Sequence, residues 1–314
     1  MPGGKLKKNK KVEEYNKLTL KIMKKILLLS GLVLSFAFTA TAMADTMTVV
    51  SDTSVFVYGP INQYAAVDSD DWGTSASAVI TWKHPSWPTI SETNWISSAY
   101  YTELTRPDSW RLFSDVIEIP SCATNITGSL SVTSDNAEEV YLNEVLLGTD
   151  GEVQGVSHDD QEWNTILNYP LIGLQAGTNT LKIIVRNYAY STDSPTVNPT
   201  GLIYKAIVNY TMDDDCDGII NSEDMCSGTI ADVPLEKLGI NRWIWGGDAW
   251  QTEKSKGKGP MFLPTMEQTY GCSCFQMLSW LNGNYPDEYG EMNGHYKFGC
   301  STSIIEDFIS LLLN

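Results

Sequence analysis

The chain has 314 residues, 42% hydrophobic and 19% charged, with 21 Lys+Arg against 38 Asp+Glu. A formal charge of −17 repels nucleic acid and anionic lipid and attracts divalent cations, which argues against nucleic-acid partners. The length suits one large and one small domain behind a leader.

The segment Lys5 to Lys25 is basic, Ile26 to Ala40 is almost wholly apolar, and Ala42-Met43-Ala44 follows. A charged run, a short apolar run and a small-x-small end predict an N-terminal extension and secretory signal peptide over 1–44, with Met23 as the natural start. The apolar run is short for a bilayer span. Cleavage after Ala44 removes nine of the 21 basic and two of the 38 acidic residues, leaving 12 − 36 = −24. No second apolar run is long enough to span a membrane, so a secreted or cell-surface protein is expected. All six Cys (122, 216, 226, 272, 274, 300) lie beyond the leader, and an even count in an exported chain predicts disulfides.

Residues 45–211 alternate β-branched and aromatic residues between turn signals. Strands are predicted near 47–51, 55–58, 78–82, 111–119, 126–133, 139–147, 179–188 and 202–211. Many short strands without an intervening helical period predict a mainly β, antiparallel sandwich. The stretches Ser134-Asp135-Asn136-Ala137-Glu138-Glu139-Val140-Tyr141-Leu142-Asn143 and Leu174-Gln175-Ala176-Gly177-Thr178-Asn179-Thr180-Leu181-Lys182-Ile183-Ile184-Val185-Arg186-Asn187 are similar to galactose-binding-domain-like jelly rolls. That resemblance spans roughly residues 95–208 and implies a jelly-roll β-sandwich that often binds sugars. Glu144 stands where the family usually has Gly, so a wider turn after Asn143 is expected. A sugar site needs exposed aromatic faces beside polar groups on loops. Asp68-Ser69-Asp70-Asp71-Trp72 and His84-Pro85-Ser86-Trp87-Pro88 offer both, and so does Trp110 beside Asp108 and Arg111. Trp72 and Trp87 are the candidate ligand residues. Each of these Trp has the alternative of capping the open end of the core. His84 and His158 lack a second ligand at metal-binding spacing and read as loop residues.

Residues 212–227 carry the most specific pattern. Counted from Asp213, side-chain oxygens fall at positions 1, 3, 5, 9 and 12 (Asp213, Asp215, Asp217, Asn221, Asp224), with Gly218 at position 6. Alternate oxygens on a tightly wound loop, a glycine at the sharp turn and a backbone carbonyl at position 7, here Ile219, suit a hard cation such as Ca²⁺. Position 12 is Asp rather than Glu, and no hydrophobic helix precedes the loop, which argues against an EF-hand. The alternative is an acidic, solvated linker. The pattern D-x-D-x-D-G-x-x-N-x-x-D-x-C resembles a single thrombospondin type 3 repeat, with Cys216 where that family mostly has a small residue. Cys216 and Cys226 flank the loop and are the expected local disulfide. Without Ca²⁺, crowded carboxylates are expected to open the loop and let the flanking domains separate.

Residues 228–314 read as a small α+β, disulfide-containing domain. Arg242-Trp243-Ile244-Trp245-Gly246-Gly247-Asp248-Ala249-Trp250-Gln251 predicts a hairpin about a Gly-Gly turn, and Lys254 to Pro260 predicts a flexible basic loop. Cys274, Leu278 and Leu281 at i, i+4 and i+7 predict a helix. Ser303 with Glu306 predicts a capping box ahead of an apolar stripe, Ile305, Phe308, Ile309 and Leu312. Cys272, Cys274, Cys300 and His295 leave three readings open: disulfides, a Cys₃His zinc site, or a thiol nucleophile with His295 as its base. If disulfides form, Cys272 and Cys274 should take different partners, one of them Cys300. The tail is similar to the ends of secreted prokaryotic calcium-repeat proteins, which assigns no activity.

Together these features predict a non-catalytic calcium-binding protein whose sandwich recognises a glycan or a cell-surface partner. The competing functions are an extracellular hydrolase using Cys272 or Cys274 with His295, and a structural surface-layer or matrix component.

Overall fold

The computed structural model describes residues 44–101, 108–155, 162–189, 198–234, 236–253, 264–289 and 296–313. Residues 1–43 of the leader, His158, the whole basic loop from Lys254 to Pro260 and His295 lie outside these residues.

Two six-stranded antiparallel sheets form the sandwich. In the first, β7 (Thr124–Asp135) lies between β10 (Leu167–Pro170) and β12 (Gly201–Thr211). The far edge of β12 is shared by β1 (Asp45–Val50) and β5 (Ile96–Ser97), and β4 (Val79–Ile80) follows β5. The second sheet runs β3 (Ser75–Ser77), β2 (Phe56–Ile61), β6 (Ser109–Ile119), β11 (Gly177–Asn187), β8 (Ala137–Leu142), β9 (Val145–Asp150). The mainly β, antiparallel expectation therefore holds. The stretch predicted as one strand over 139–147 is a hairpin. Its turn is two residues, Asn143 and Glu144, at φ 50° and 67°, so the wider turn is corrected. Asn143 holds it tight: its Oδ1 accepts from Thr180 N at 2.9 Å and its Nδ2 donates to Asn179 Oδ1 at 3.0 Å.

Side-chain alternation places Leu181, Ile183 and Val185 of β11 against Leu202, Tyr204, Ala206 and Val208 of β12 in the inter-sheet core. At one end the outer faces are covered too. Trp72, Trp110, Tyr141, Ile184 and Tyr188 pack outside the second sheet, and Trp87, Ile90, Trp95 and Ile203 outside the first. Hence β8 is buried on both faces.

The C-terminal unit has its own core. A three-stranded sheet, β13 (Arg242–Trp245) between β14 (Trp250–Gln251) and β15 (Cys300–Ser301), packs with α1 (Cys274–Asn284), the short α2 (Pro286–Tyr289) and α3 (Thr302–Leu312). The hairpin turns at Gly246-Gly247 as predicted, Gly247 at φ 96°. Ser273 and Gln276 form a reciprocal capping box on α1. The cap of α3 is Ser301, whose hydroxyl accepts from Ile304 N at 3.3 Å, so the box predicted at Ser303 is corrected. The buried Asp232 carboxylate accepts from Trp245 N (2.7 Å), Cys274 N (2.9 Å) and Phe275 N (3.1 Å), joining hairpin to helix.

All six cysteines are oxidised, as Cys122–Cys216, Cys226–Cys272 and Cys274–Cys300. The predicted Cys216–Cys226 pair is corrected. The two ends of the acidic loop lie against different domains, so Cys216 bonds to the β6–β7 turn and Cys226 to the segment before α1. Cys272 and Cys274 do take different partners, and Cys300 is one of them. Zinc ligation and nucleophilic catalysis at these cysteines both require a thiolate; a cystine has none, which closes both readings.

Candidate metal centre and ligand pocket

The acidic loop is wound as its spacing implies. Gly218 sits at φ 93°, and Cys216 at φ 63°. Asp213 Oδ1 accepts from Cys216 N at 2.8 Å and Oδ2 from Gly218 N at 2.9 Å. Asp217 Oδ1 accepts from Ile219 N at 2.8 Å, and Asp224 Oδ1 from Cys226 N at 2.7 Å. These bonds bring one oxygen each of Asp213, Asp215 and Asp217 within 4.8 Å of one another, a span over which one Ca²⁺ could touch all three. Asp213 is 5% and Asp217 7% exposed, and Asp215 Oδ1 and Asp217 Oδ2 are buried without a hydrogen-bond partner. Buried polar atoms are ordinarily satisfied, so two such oxygens in one turn suit a cation's ligand set.

Asp224 approaches from the far end of the loop. A Cβ on Gly271 would collide with Asp224 Oδ1 and lie 3.1 Å from Asp217 Oδ2, so Gly271 leaves the space these carboxylates occupy. Asn221 Oδ1 instead accepts from Asp214 N at 2.8 Å, closing the loop on itself. The Ile219 side chain is buried in the C-terminal core. Burial first, then the charges of Asp215, Asp224 and Asp213, push the Asp217 carboxyl up to about 6. Burial pushes the Asp224 carboxyl upward as well. A bound cation would reverse that repulsion.

The Trp residues do not present exposed faces. Trp72 and Trp87 are each 3% exposed. The Trp72 indole N–H donates to Ala66 O at 2.8 Å, and that of Trp87 to Asp135 Oδ2 at 2.8 Å. Trp87 also stacks on Trp95, centroids 4.1 Å apart. Trp110 is buried and donates to Val153 O. The expectation that Trp72 and Trp87 stack on a ligand is corrected: both are buried against the outer faces of the sheets, where the bury-or-bind ambiguity of tryptophan resolves toward burial.

The Asp68–Trp72 loop nevertheless borders an open pocket of about 260 Å³ on the outer face of the second sheet. Asp68, Ser69 and Asp70 line one side, Lys182 and Glu144 another, with Tyr58 and the edge of Trp72 between them. Lys182 Nζ lies 3.5 Å from Glu144 Oε1 and donates to Val67 O at 3.4 Å. Tyr58, Glu144 and Lys182 were not singled out from sequence, because three separate strands and turns bring them together. Tyr100 and Tyr101, 55% and 50% exposed, form another exposed aromatic pair.

No family model and no curated protein matches the chain. Among solved structures it is similar to a family 35 carbohydrate binding module from Clostridium thermocellum (11% identity, 51% of this chain and 97% of that one, TM-score 0.26). A putative beta-galactosidase from Bacteroides fragilis is similar at 14% identity over 52% of this chain and 23% of that one, TM-score 0.33. An FMN-binding beta-glucuronidase from Facaelibacterium prausnitzii L2-6 is similar at 13% over 53% and 23%, TM-score 0.32. The chain spans under a quarter of the length of these two glycosidases.

Proposed function

We propose that this is an exported, non-catalytic calcium-binding protein whose β-sandwich recognises a glycan or cell-surface partner. The observation that carries the calcium reading is the unpartnered, buried Asp217 Oδ2 beside Asp213 and Asp215. Three disulfides fit an oxidising compartment. The glycan reading rests on the polar pocket, whose carboxylates, ammonium and hydroxyls suit the hydroxyls of a sugar ring.

Extracellular modules of this kind bind Ca²⁺ at about 10⁻⁴ to 10⁻³ M. At a hundredfold excess over Kd, mass action adds roughly 2.7 kcal/mol to the unit that folds with the site. Asp217→Asn keeps the backbone acceptor and removes the charge, so calorimetric titration should read at least a tenfold loss of affinity. One cystine fastens the start of the loop to the sandwich and another its end to the C-terminal unit, so residues 217–225 are the tether whose opening on chelation should let the domains separate. EGTA should expose residues 217–225 to protease, and because no cystine spans that stretch the two fragments should part without reduction. Calcium affinity unchanged by Asp217→Asn would reduce the loop to an acidic linker.

For the pocket, a glycan array identifies a ligand, and Asp70→Ala and Lys182→Ala should each weaken its binding. The loss of one hydrogen bond to a charged group predicts about tenfold or more, with the melting temperature nearly unchanged. An array without hits, or variants that bind normally, would remove the glycan role.

A further inference from the structure

A second group of carboxylates lies inside the sandwich, far along the chain from the acidic loop. Val140 and Leu142 of β8 point into the inter-sheet core, so by alternation Glu138 does too. It is fully buried, and neither carboxylate oxygen makes a full hydrogen bond; the Ser134 hydroxyl and backbone ease its charge only in part. Asp150 is its cross-strand partner on β9 and shares that face. Tyr169 faces them from the other sheet: it pairs with the core residue Leu130, and its ring lies where a Cβ of Gly148 would stand. The Tyr169 hydroxyl is buried without a partner. Glu162 adds a further negative charge within range, its Oε1 lying over Gly151 and accepting from the Tyr188 hydroxyl at 3.3 Å. No Lys or Arg pairs with Glu138 among the described residues; Arg111 sits in the same row on the opposite side of Val185.

We infer that Glu138 and Asp150, completed by the Tyr169 hydroxyl, form a second, inter-sheet site for a hard divalent cation such as Ca²⁺. A carboxylate in the dry core whose charge only Ser134 eases is costly unless it is paired or bound to a metal. Two carboxylates and a hydroxyl converging there are the oxygen set a hard cation takes. The alternative is a neutral Glu138, and burial, reinforced by Asp150 and Glu162, pushes its carboxyl up to about 8. Among the described residues only the loop triad brings three carboxylates within 4.8 Å, so the hydroxyl of Tyr169, from the other sheet, would complete the inter-sheet ligand set.

The test is calcium stoichiometry by equilibrium dialysis with elemental analysis on the whole chain. Wild type should hold about two Ca²⁺ per chain, each hard-cation oxygen cluster taking one. Glu138→Gln and Asp217→Asn should each lose one, and the double variant both. Because glutamine is isosteric with the neutral acid, the Glu138→Gln melting temperature in EGTA should equal or exceed that of wild type. If that variant does not fold, Asp150→Asn and Tyr169→Phe replace it, the latter expected to weaken the second ion about tenfold. A single ion lost in Asp217→Asn, or Glu138→Gln with unchanged stoichiometry, overturns the inference and leaves Glu138 a buried neutral acid. One ion surviving Asp217→Asn and lost in Glu138→Gln supports it, even where the loop reading fails.

Discussion

Trp87→Ala should lower the unfolding free energy by about 3–5 kcal/mol, the range for emptying a large aromatic from a core. The cost has three physical sources. The indole stacks on Trp95 at 4.1 Å, and its removal opens a cavity beside Ile203 and Gly201. It also donates the hydrogen bond that Asp135 Oδ2 receives, on a carboxyl that burial already pushes up to about 8. Leaving that oxygen without a donor adds on the order of 1–3 kcal/mol. Trp87→Phe separates the contributions, because it keeps the stack and loses only the N–H. It should cost less than alanine but still a measurable amount. Urea denaturation monitored by circular dichroism reads both variants. An alanine variant with an unchanged midpoint would return Trp87 to the surface and revive it as a ligand residue.

Removing the long-range disulfide with Cys122→Ala and Cys216→Ala should have a comparable effect. The bond closes a sequence separation of 94 residues, for which the loop-entropy relation predicts about 4–5 kcal/mol. The loss should be unevenly distributed. The sandwich keeps its inter-sheet core, whereas the acidic loop loses its attachment at Cys216, three residues from Asp213. Calcium affinity should therefore fall along with stability, because the first ligands must be ordered anew at each binding event. Cys274→Ala with Cys300→Ala, which lies inside the C-terminal core, should destabilise that unit while leaving the loop's affinity closer to wild type. Two variants with identical effects on calcium binding would refute the distinction.

Strand positions were legible because a sandwich imposes a period of two wherever one face is buried, and residues 177–187 and 201–211 carry that period plainly. The acidic loop was legible for the same kind of reason: its hydrogen bonds run between near neighbours, so spacing alone dictates which oxygens meet. What the sequence left open was every pairing between distant segments. Cys216 turned to the β6–β7 turn rather than to Cys226, because the loop ends face different domains. Tryptophan has an apolar body and one polar N–H, so Trp72 and Trp87 satisfied equally well the local pattern of a core cap and of a ligand platform. Only packing against Trp95 and the outer sheet faces decided it. Glu138 was not singled out from the sequence. Its place opposite Tyr169 follows from how two sheets stack, and no local rule of sequence records which residue faces which across that gap.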